Sequence, residues 1–291
     1  MEKAVIGAAM FVIGAAMGSF ACCQAWRIRK GDKSRRSHCM SCGMTLKWYD
    51  NIPIVSWVLL RGKCRGCGKK IGAMEIFAEL FAGVAFLVSY LVFDSGVIGG
   101  GFMKWGSLAS GEFATNCGRE MNCLPQGNVN WVTVGLFAVF LVELVILTIL
   151  FVYDAKWKEL PVKLMVAAIV VAAIWLGLKA FLVGAFDGWL SLVGALMILP
   201  GFYYLMYKMS RERLVGAGDW VLCVALALLL GNFWLAMFAL FAANMLGSIV
   251  SLPLLLKGKG AKTKVAFGPF LIVGTLIVLF AQEWILQLVQ I

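Results

Sequence analysis

Phe137-Ala138-Val139-Phe140-Leu141-Val142-Glu143-Leu144-Val145-Ile146-Leu147-Thr148-Ile149-Leu150-Phe151-Val152-Tyr153-Asp154 is an apolar run interrupted by one acid and closed by another. With the residues that lead into it from Trp131, it reaches the ~20 residues a helix needs to cross a bilayer. Water is absent from that core, so the backbone must satisfy its own hydrogen bonds, and a helix does so within one segment. Asp154 is then a carboxylate at the end of a membrane span. An ionisable group at membrane depth costs about 2.5–3.5 kcal/mol on insertion scales and normally has a task or a partner. Polarity returns immediately beyond it, in Lys156-Trp157-Lys158-Glu159-Leu160-Pro161.

A second acid is placed in a similar way. Asp219 follows Gly216-Ala217-Gly218 and leads into Trp220 to Leu230, a run without charge. Two carboxylates brought together can share one proton, the arrangement that acid proteases use. Asp154 and Asp219 are therefore the catalytic candidates.

The same pattern extends outward through the chain, which has 291 residues, is 62% hydrophobic and has a mean hydropathy of +0.90. That composition excludes a water-soluble globular protein and predicts an all-α polytopic membrane protein. About eight transmembrane helices are expected, at 4–25, 75–93, 131–153, 163–183, 189–207, 219–231, 233–256 and 269–289. The sixth is short and is expected to tilt or to cross partway.

Net charge is +11, yet 22 of the 26 Lys and Arg residues fall in four segments, 27–70, 154–163, 208–218 and 257–268. With eight spans and an outside N-terminus, all four lie on one side, which the positive-inside rule makes the cytoplasm. Topology thus explains the basicity. It suits anionic membrane lipids as partners and argues against nucleic acid. The first span lacks a basic leader region, because Glu2 offsets Lys3, and Arg27, Arg29 and Lys30 follow it. It reads as an uncleaved anchor with a periplasmic N-terminus. Both aspartates then sit at the cytoplasmic boundary.

The cysteines add a second constellation. Cys39-x-x-Cys42 and Cys64-x-x-Cys67 are separated by 21 residues within the long basic loop. Two such hooks fit a tetrahedral structural zinc site, with Gly43, Gly66 and Gly68 permitting the tight turns. The loop is too polar to build much of a core, so metal binding is expected to supply its folding energy. Four thiolates leave no open position for catalysis. His38 adjoins the first hook and reads as a bystander. Cys117 and Cys123, in the outside loop, are compatible with either a disulfide or two free thiols. Cys22, Cys23 and Cys223 read as packing residues.

These motifs together resemble the bacterial type IV prepilin peptidases, the bifunctional leader peptidase/N-methyltransferases of the inner membrane. The resemblance runs from Gly18-Ser19-Phe20 through the two hooks and Asp50-Asn51-Ile52-Pro53-Ile54-Val55-Ser56-Trp57. It continues through Leu60-Arg61-Gly62-Lys63-Cys64-Arg65, Glu75 and Glu79-Leu80, Asp154 with Leu160-Pro161, and Gly216-Ala217-Gly218-Asp219. It closes with Phe267-Gly268-Pro269-Phe270-Leu271. It implies a GxGD intramembrane aspartyl protease that cuts the basic leader of a prepilin or pseudopilin. It also implies methylation of the new N-terminus from S-adenosylmethionine. On this reading the chain divides into a first transmembrane helix (1–26), a cytoplasmic tetracysteine zinc loop (27–74), a second helix with a periplasmic loop (75–130) and a six-helix protease domain (131–291).

Gly216 and Gly218 are expected to let backbone approach an extended substrate. Glu75 and Glu79 share a helix face and are candidates for binding the substrate's new amino group or the sulfonium, or for pairing with loop cations. Glu143, about three turns before Asp154, is expected to make a structural hydrogen bond inside the bundle. Trp26, Trp131 and Trp157 are placed as interfacial anchors. No glycine-rich cofactor loop opens a helix on the cytoplasmic side, so the sequence names no methyl-donor residues. The chain departs from the family pattern at Val221, where a lysine is usual, and at Arg27-Ile28-Arg29-Lys30, where an arginine-proline element is usual. A peptidase without methylation, an ion-coupled transporter and a zinc-bearing secretion scaffold are the competing readings. The absence of an inverted repeat and the position of both acids at one face weigh against the transporter.

Overall fold

Every apolar stretch marked above is helical. The computed structural model describes residues 2–32, 36–39, 41–94, 131–183, 188–210, 216–256 and 266–289. The helices are α1 (Glu2–Lys30), α2 (Val55–Leu59), α3 (Ala73–Asp94), α4 (Trp131–Trp157), α5 (Val162–Val183), α6 (Trp189–Ser210), α7 (Ala217–Leu230), α8 (Phe233–Leu256), α9 (Gly268–Phe280) and α10 (Gln282–Val289). A 3-10 turn occupies Trp48–Asn51, and extended pairing among the described residues is limited to isolated bridges, His38 with Thr45 and Lys63 with Lys70.

Six helices are long and apolar enough to cross a membrane, and the α9–α10 pair makes up to seven. The protein is thus a multi-pass membrane protein, although its last stretch is not the single straight span expected. The chain bends by 71° between Phe280 and Gln282. The sixth stretch, α7, has 14 residues and is too short to span alone. Conversely α1 runs four residues past 26, carrying Arg27, Arg29 and Lys30 in its last turn, where cations meet the negative end of the helix dipole. Large outward apolar side chains such as Phe181 and Leu190 are exposed, as a lipid-facing surface requires.

Helices in lipid associate through close packing, because apolar side chains gain little by leaving lipid for one another. Gly14 and Gly18, one turn apart on α1, meet that need against α3. A Cβ on Gly18 would stand 2.5 Å from the Ala78 carbonyl oxygen and 2.6 Å from the Glu79 Cα. At Gly14 it would stand 2.5 Å from the Ala82 carbonyl oxygen. Helix α4 lies beside this pair and also packs on α5 and α9. At that junction the ring of Phe93 meets those of Phe137 (4.6 Å), Phe140 (5.8 Å) and Trp175 (6.0 Å). Helix α7 is enclosed by α5, α6 and α9, and Leu222, Cys223, Leu226 and Leu230 are fully buried along it. It stops at Gly231, whose left-handed backbone (φ 63) closes the end with an N–H donated to the Ala227 carbonyl. Asn232 then caps α8, its Oδ1 accepting the N–H groups of Trp234 (2.9 Å) and Leu235 (3.3 Å).

Gly18→Leu is expected to force α1 and α3 apart and to destabilise the protein by about 1–3 kcal/mol. The check is thermal unfolding in detergent, with Gly201→Ala as control, since a Cβ there meets nothing within 4 Å.

Candidate active site and metal centre

Asp154 lies in the last turn of α4 and Asp219 in the first turn of α7. Both are buried, at 4% and 8% exposure, and they are near enough for their charges to act on each other. Each carboxylate accepts a backbone hydrogen bond on Oδ2: Asp154 from the Gly268 N–H at 2.9 Å, Asp219 from the Gly216 N–H at 3.0 Å. Both donors stand at helix starts, where N–H groups have no intrahelical partner. Helix α9 packs on both α4 and α7 and so connects the two acids.

The family-type residues around them serve that geometry. A Cβ on Gly268 would lie 2.7 Å from Asp154 Oδ2, so the glycine is what allows its backbone to reach the carboxylate. A Cβ on Gly218 would lie 2.8 Å from the Leu160 Cβ, so its bare face is filled by the loop that follows Asp154. Gly216 is exposed at the mouth of α7. Lys158, in a left-handed conformation (φ 57), ends the α4 turn with its N–H on the Asp154 carbonyl at 2.7 Å. Val221 packs partly buried against the core in the position where a lysine was expected.

Two residues that the sequence did not single out complete this corner. The Tyr203 ring lies 5.5 Å from the Phe267 ring, and its hydroxyl accepts a hydrogen bond from Asn244 Nδ2 at 3.0 Å. Phe267 is also closed in by Gly247, where a Cβ would lie 2.9 Å from the ring. Phe267 is thus clamped immediately before the Gly268 N–H that Asp154 uses. A tyrosine and an asparagine inside apolar runs are a readable signal of polar purpose, but their pairing across 41 residues is not. Glu143, fully buried, does not make the expected structural hydrogen bond: neither carboxylate oxygen has a partner among the described residues.

The cysteine module sits over the same end of the bundle. Each hook has the same wiring: Cys39 N–H to Met44 O with Gly43 N–H to Cys39 O, and Cys64 N–H to Lys69 O with Gly68 N–H to Cys64 O. Gly43 (φ 70) and Gly68 (φ 67) supply the left-handed turns. The sulfurs of Cys39, Cys42, Cys64 and Cys67 all lie within 4.8 Å of one another, and those of Cys39 and Cys67 are 3.9 Å apart. A tetrahedral zinc with ~2.3 Å Zn–S bonds places sulfurs roughly 3.8 Å apart, so this cluster fits a metal. N–H groups of Ser41 and Cys42 directed at Cys39 lower its thiol. At Cys42 the Met44 N–H is outweighed by desolvation and the neighbouring sulfurs, which raise its thiol, as expected of thiols crowded together whose charge a cation would share. His38 stands aside from the cluster: Nε2 faces Asp32 at 3.6 Å and its ring meets the edge of Trp26 at 5.2 Å. Trp26, expected as a lipid-interface anchor, thus packs on the module. Cys117 and Cys123 lie outside the described residues.

Ion pairs tie the module's flanking helices to the end of α4 and the loop that follows it. Arg29 at the end of α1 pairs with Glu159, and Lys156 Nζ holds Glu75 Oε1 on α3 at 2.6 Å. Glu79 on α3 accepts the Ile54 N–H at 2.7 Å.

Fold and site together define a polytopic helical membrane protein with two buried aspartates at one end and a four-cysteine module over that end. Residues 12–93 match the family described as Bacterial Peptidase A24 N-terminal domain, and residues 141–252 match the Type IV leader peptidase family. The chain belongs to the type IV leader peptidase family. It is similar to proteins named prepilin leader peptidase/N-methyltransferase from Myxococcus xanthus (strain DK1622), Dichelobacter nodosus and Neisseria gonorrhoeae. Identities are 30%, 28% and 29%, over 85% of this chain in each case. The matched region spans 62% of the Myxococcus protein, 72% of the Dichelobacter protein and 71% of the Neisseria protein. No solved structure matches.

Protein purified under reducing conditions is expected to carry close to one zinc ion per chain, measured by elemental analysis. Cys64→Ser, which removes the buried member of the cluster, is expected to abolish most of that content.

Proposed function

We propose that the protein is a prepilin peptidase of the bacterial inner membrane. It removes the basic leader of a type IV prepilin or pseudopilin and then methylates the new N-terminus from S-adenosylmethionine. The observation that carries this reading is the Asp154–Asp219 pair, in which each acid is held by one backbone N–H and the two are within electrostatic reach. In the cleavage step the ionised carboxylate takes a proton from a water molecule as its oxygen attacks the scissile carbonyl. The protonated partner donates a hydrogen bond to that carbonyl oxygen as charge develops on it. The proton then passes to the leaving amine, the carbon–nitrogen bond breaks, and the pair again shares one proton. Which aspartate starts as the acid is a property of the pair and not of either residue.

Gly216, exposed at the mouth of α7, forms the approach for the extended leader, the expected role of Gly218 being taken by its packing against Leu160. Glu75 and Glu79 face the new amino group. Zinc in the Cys39, Cys42, Cys64 and Cys67 cluster is structural: it fixes the module that holds Glu79 and the Ile54 turn beside the cleavage site. The cysteine module and both aspartates face the cytoplasm and the N-terminus the periplasm, a reading supported by the clustering of Lys and Arg in four segments. A substrate leader rich in cations arrives from that side, and its hydrophobic helix lies among the membrane helices.

Asp154→Asn and Asp219→Asn are each expected to lower leader cleavage by about a thousandfold or more in detergent, with folding and metal content retained. Gly268→Ala, which crowds the Asp154 carboxylate, is expected to lower it by about ten- to a hundredfold. Normal processing of a prepilin by either asparagine variant overturns the protease assignment. For sidedness, a phosphatase fused after Lys70 is expected to be inactive, and one fused just beyond Asp94 to be active.

A further inference from the structure

We infer that the cavity enclosed by α1, the cysteine module and the start of α3 is the seat of the methyl donor, an adenosyl sulfonium. This rests on the methyl-transfer half of the proposed function, for which the sequence offered only Glu75 and Glu79, and those as one of several readings. The cavity measures about 690 Å³, within the range of small-ligand and cofactor sites.

Its walls divide the way such a ligand divides. On the inner side lie the carboxylates of Glu75 and Glu79, with Trp26 also in the lining. Glu75 Oε1 is taken by Lys156, but Oε2 is shielded from solvent and has no hydrogen-bond partner among the described residues. A buried acceptor without a donor calls for one, which the ligand's ammonium group supplies, while the carboxylate's negative charge also favours the nearby sulfonium. Trp26 offers an indole surface for an adenine ring or for the cationic centre. On the outer side Arg36 and Lys69 are exposed at the cavity edge, suited to the ligand's own carboxylate. The wall is also held rigidly. The β-branched Ile54 adopts a strained left-handed conformation (φ 62), and its N–H is fixed on Glu79, which is 7% exposed.

The cavity adjoins the place where the amine is released, since Lys156, which grips Glu75, lies two residues beyond Asp154. There the ammonium gives its proton to solvent, and the neutral amine's lone pair attacks the methyl carbon. The carbon–sulfur bond breaks with its electron pair remaining on sulfur, so the positive charge passes from sulfur to nitrogen.

The test is calorimetric titration of the full-length protein in detergent with S-adenosylmethionine and with S-adenosylhomocysteine. Cys23→Phe, which narrows the cavity from α1, is expected to weaken S-adenosylmethionine binding at least about tenfold, with leader cleavage and metal content as in the wild type. Glu75→Gln is expected to reduce the preference for the sulfonium over the neutral thioether. Unchanged binding by Cys23→Phe overturns the site. A wild-type protein that cleaves leader but binds neither compound overturns the methyl-transfer reading, and the cavity assignment with it. If Cys23→Phe loses cleavage or metal, photo-crosslinking of labelled S-adenosylmethionine to the wild type decides. Label within residues 19–79 supports the cavity, and label confined to residues 131–289 overturns it.

Discussion

A carboxylate enclosed by apolar helices needs hydrogen-bond donors, and in a helical bundle the only unused backbone donors are at helix starts. This constraint orders the whole site. Asp154 sits at the end of α4, so some helix must begin beside it, and α9 does, at Gly268. Asp219 takes the alternative solution and lies within the first turn of its own helix, reaching back to Gly216. The ends of α4, α7 and α9 are thereby brought to one level. The up-and-down path of α5, α6 and α8 follows from the need to return the chain to that level.

The N-terminal half is registered to the same level by different means. The close Gly14 and Gly18 contacts fix α1 along α3, and the cysteine module closes the gap between their ends. Arg29 with Glu159 and Lys156 with Glu75 then join this unit to the segment after Asp154. Partly exposed ion pairs contribute about 0–1 kcal/mol each, so their importance is alignment more than stability. Arg29 belongs to the Arg27–Lys30 stretch that departs from the family pattern, and in this chain that stretch carries one of the two ties.

Much of this was legible in the sequence because membrane burial leaves few options. Apolar length gave the helices, the GxGD and CxxC spacings gave the acids and thiolates, and the Phe267–Leu271 motif marked the start of α9. What stayed hidden are relations that depend on where two distant helices pass each other. The Gly268 N–H on Asp154 spans 114 positions, and the Asn244–Tyr203–Phe267 clamp joins three helical regions. The bend after Phe280 was hidden for a different reason: Ala281 and Gln282 carry no breaker, so composition offered no signal. Glu143 was misread because an acid inside a span suggests a polar partner, and α4 offers it a purely apolar setting among the described residues.

The brevity of α7 has a consequence for hydration. Fourteen residues rise only about 21 Å, roughly 9 Å less than a typical hydrocarbon core. Because α5, α6 and α9 enclose it, neither end of α7 is required to reach the lipid headgroups. Non-helical backbone at such depth is tolerated where it is buried in protein or borders water. Gly216, the extended and exposed residue that leads into α7, is backbone of that kind. A short helix that need not span the bilayer thus lets Asp219 be buried in the bundle with exposed backbone three residues away at Gly216. On the proposed function, that exposed edge is where the water consumed in hydrolysis enters.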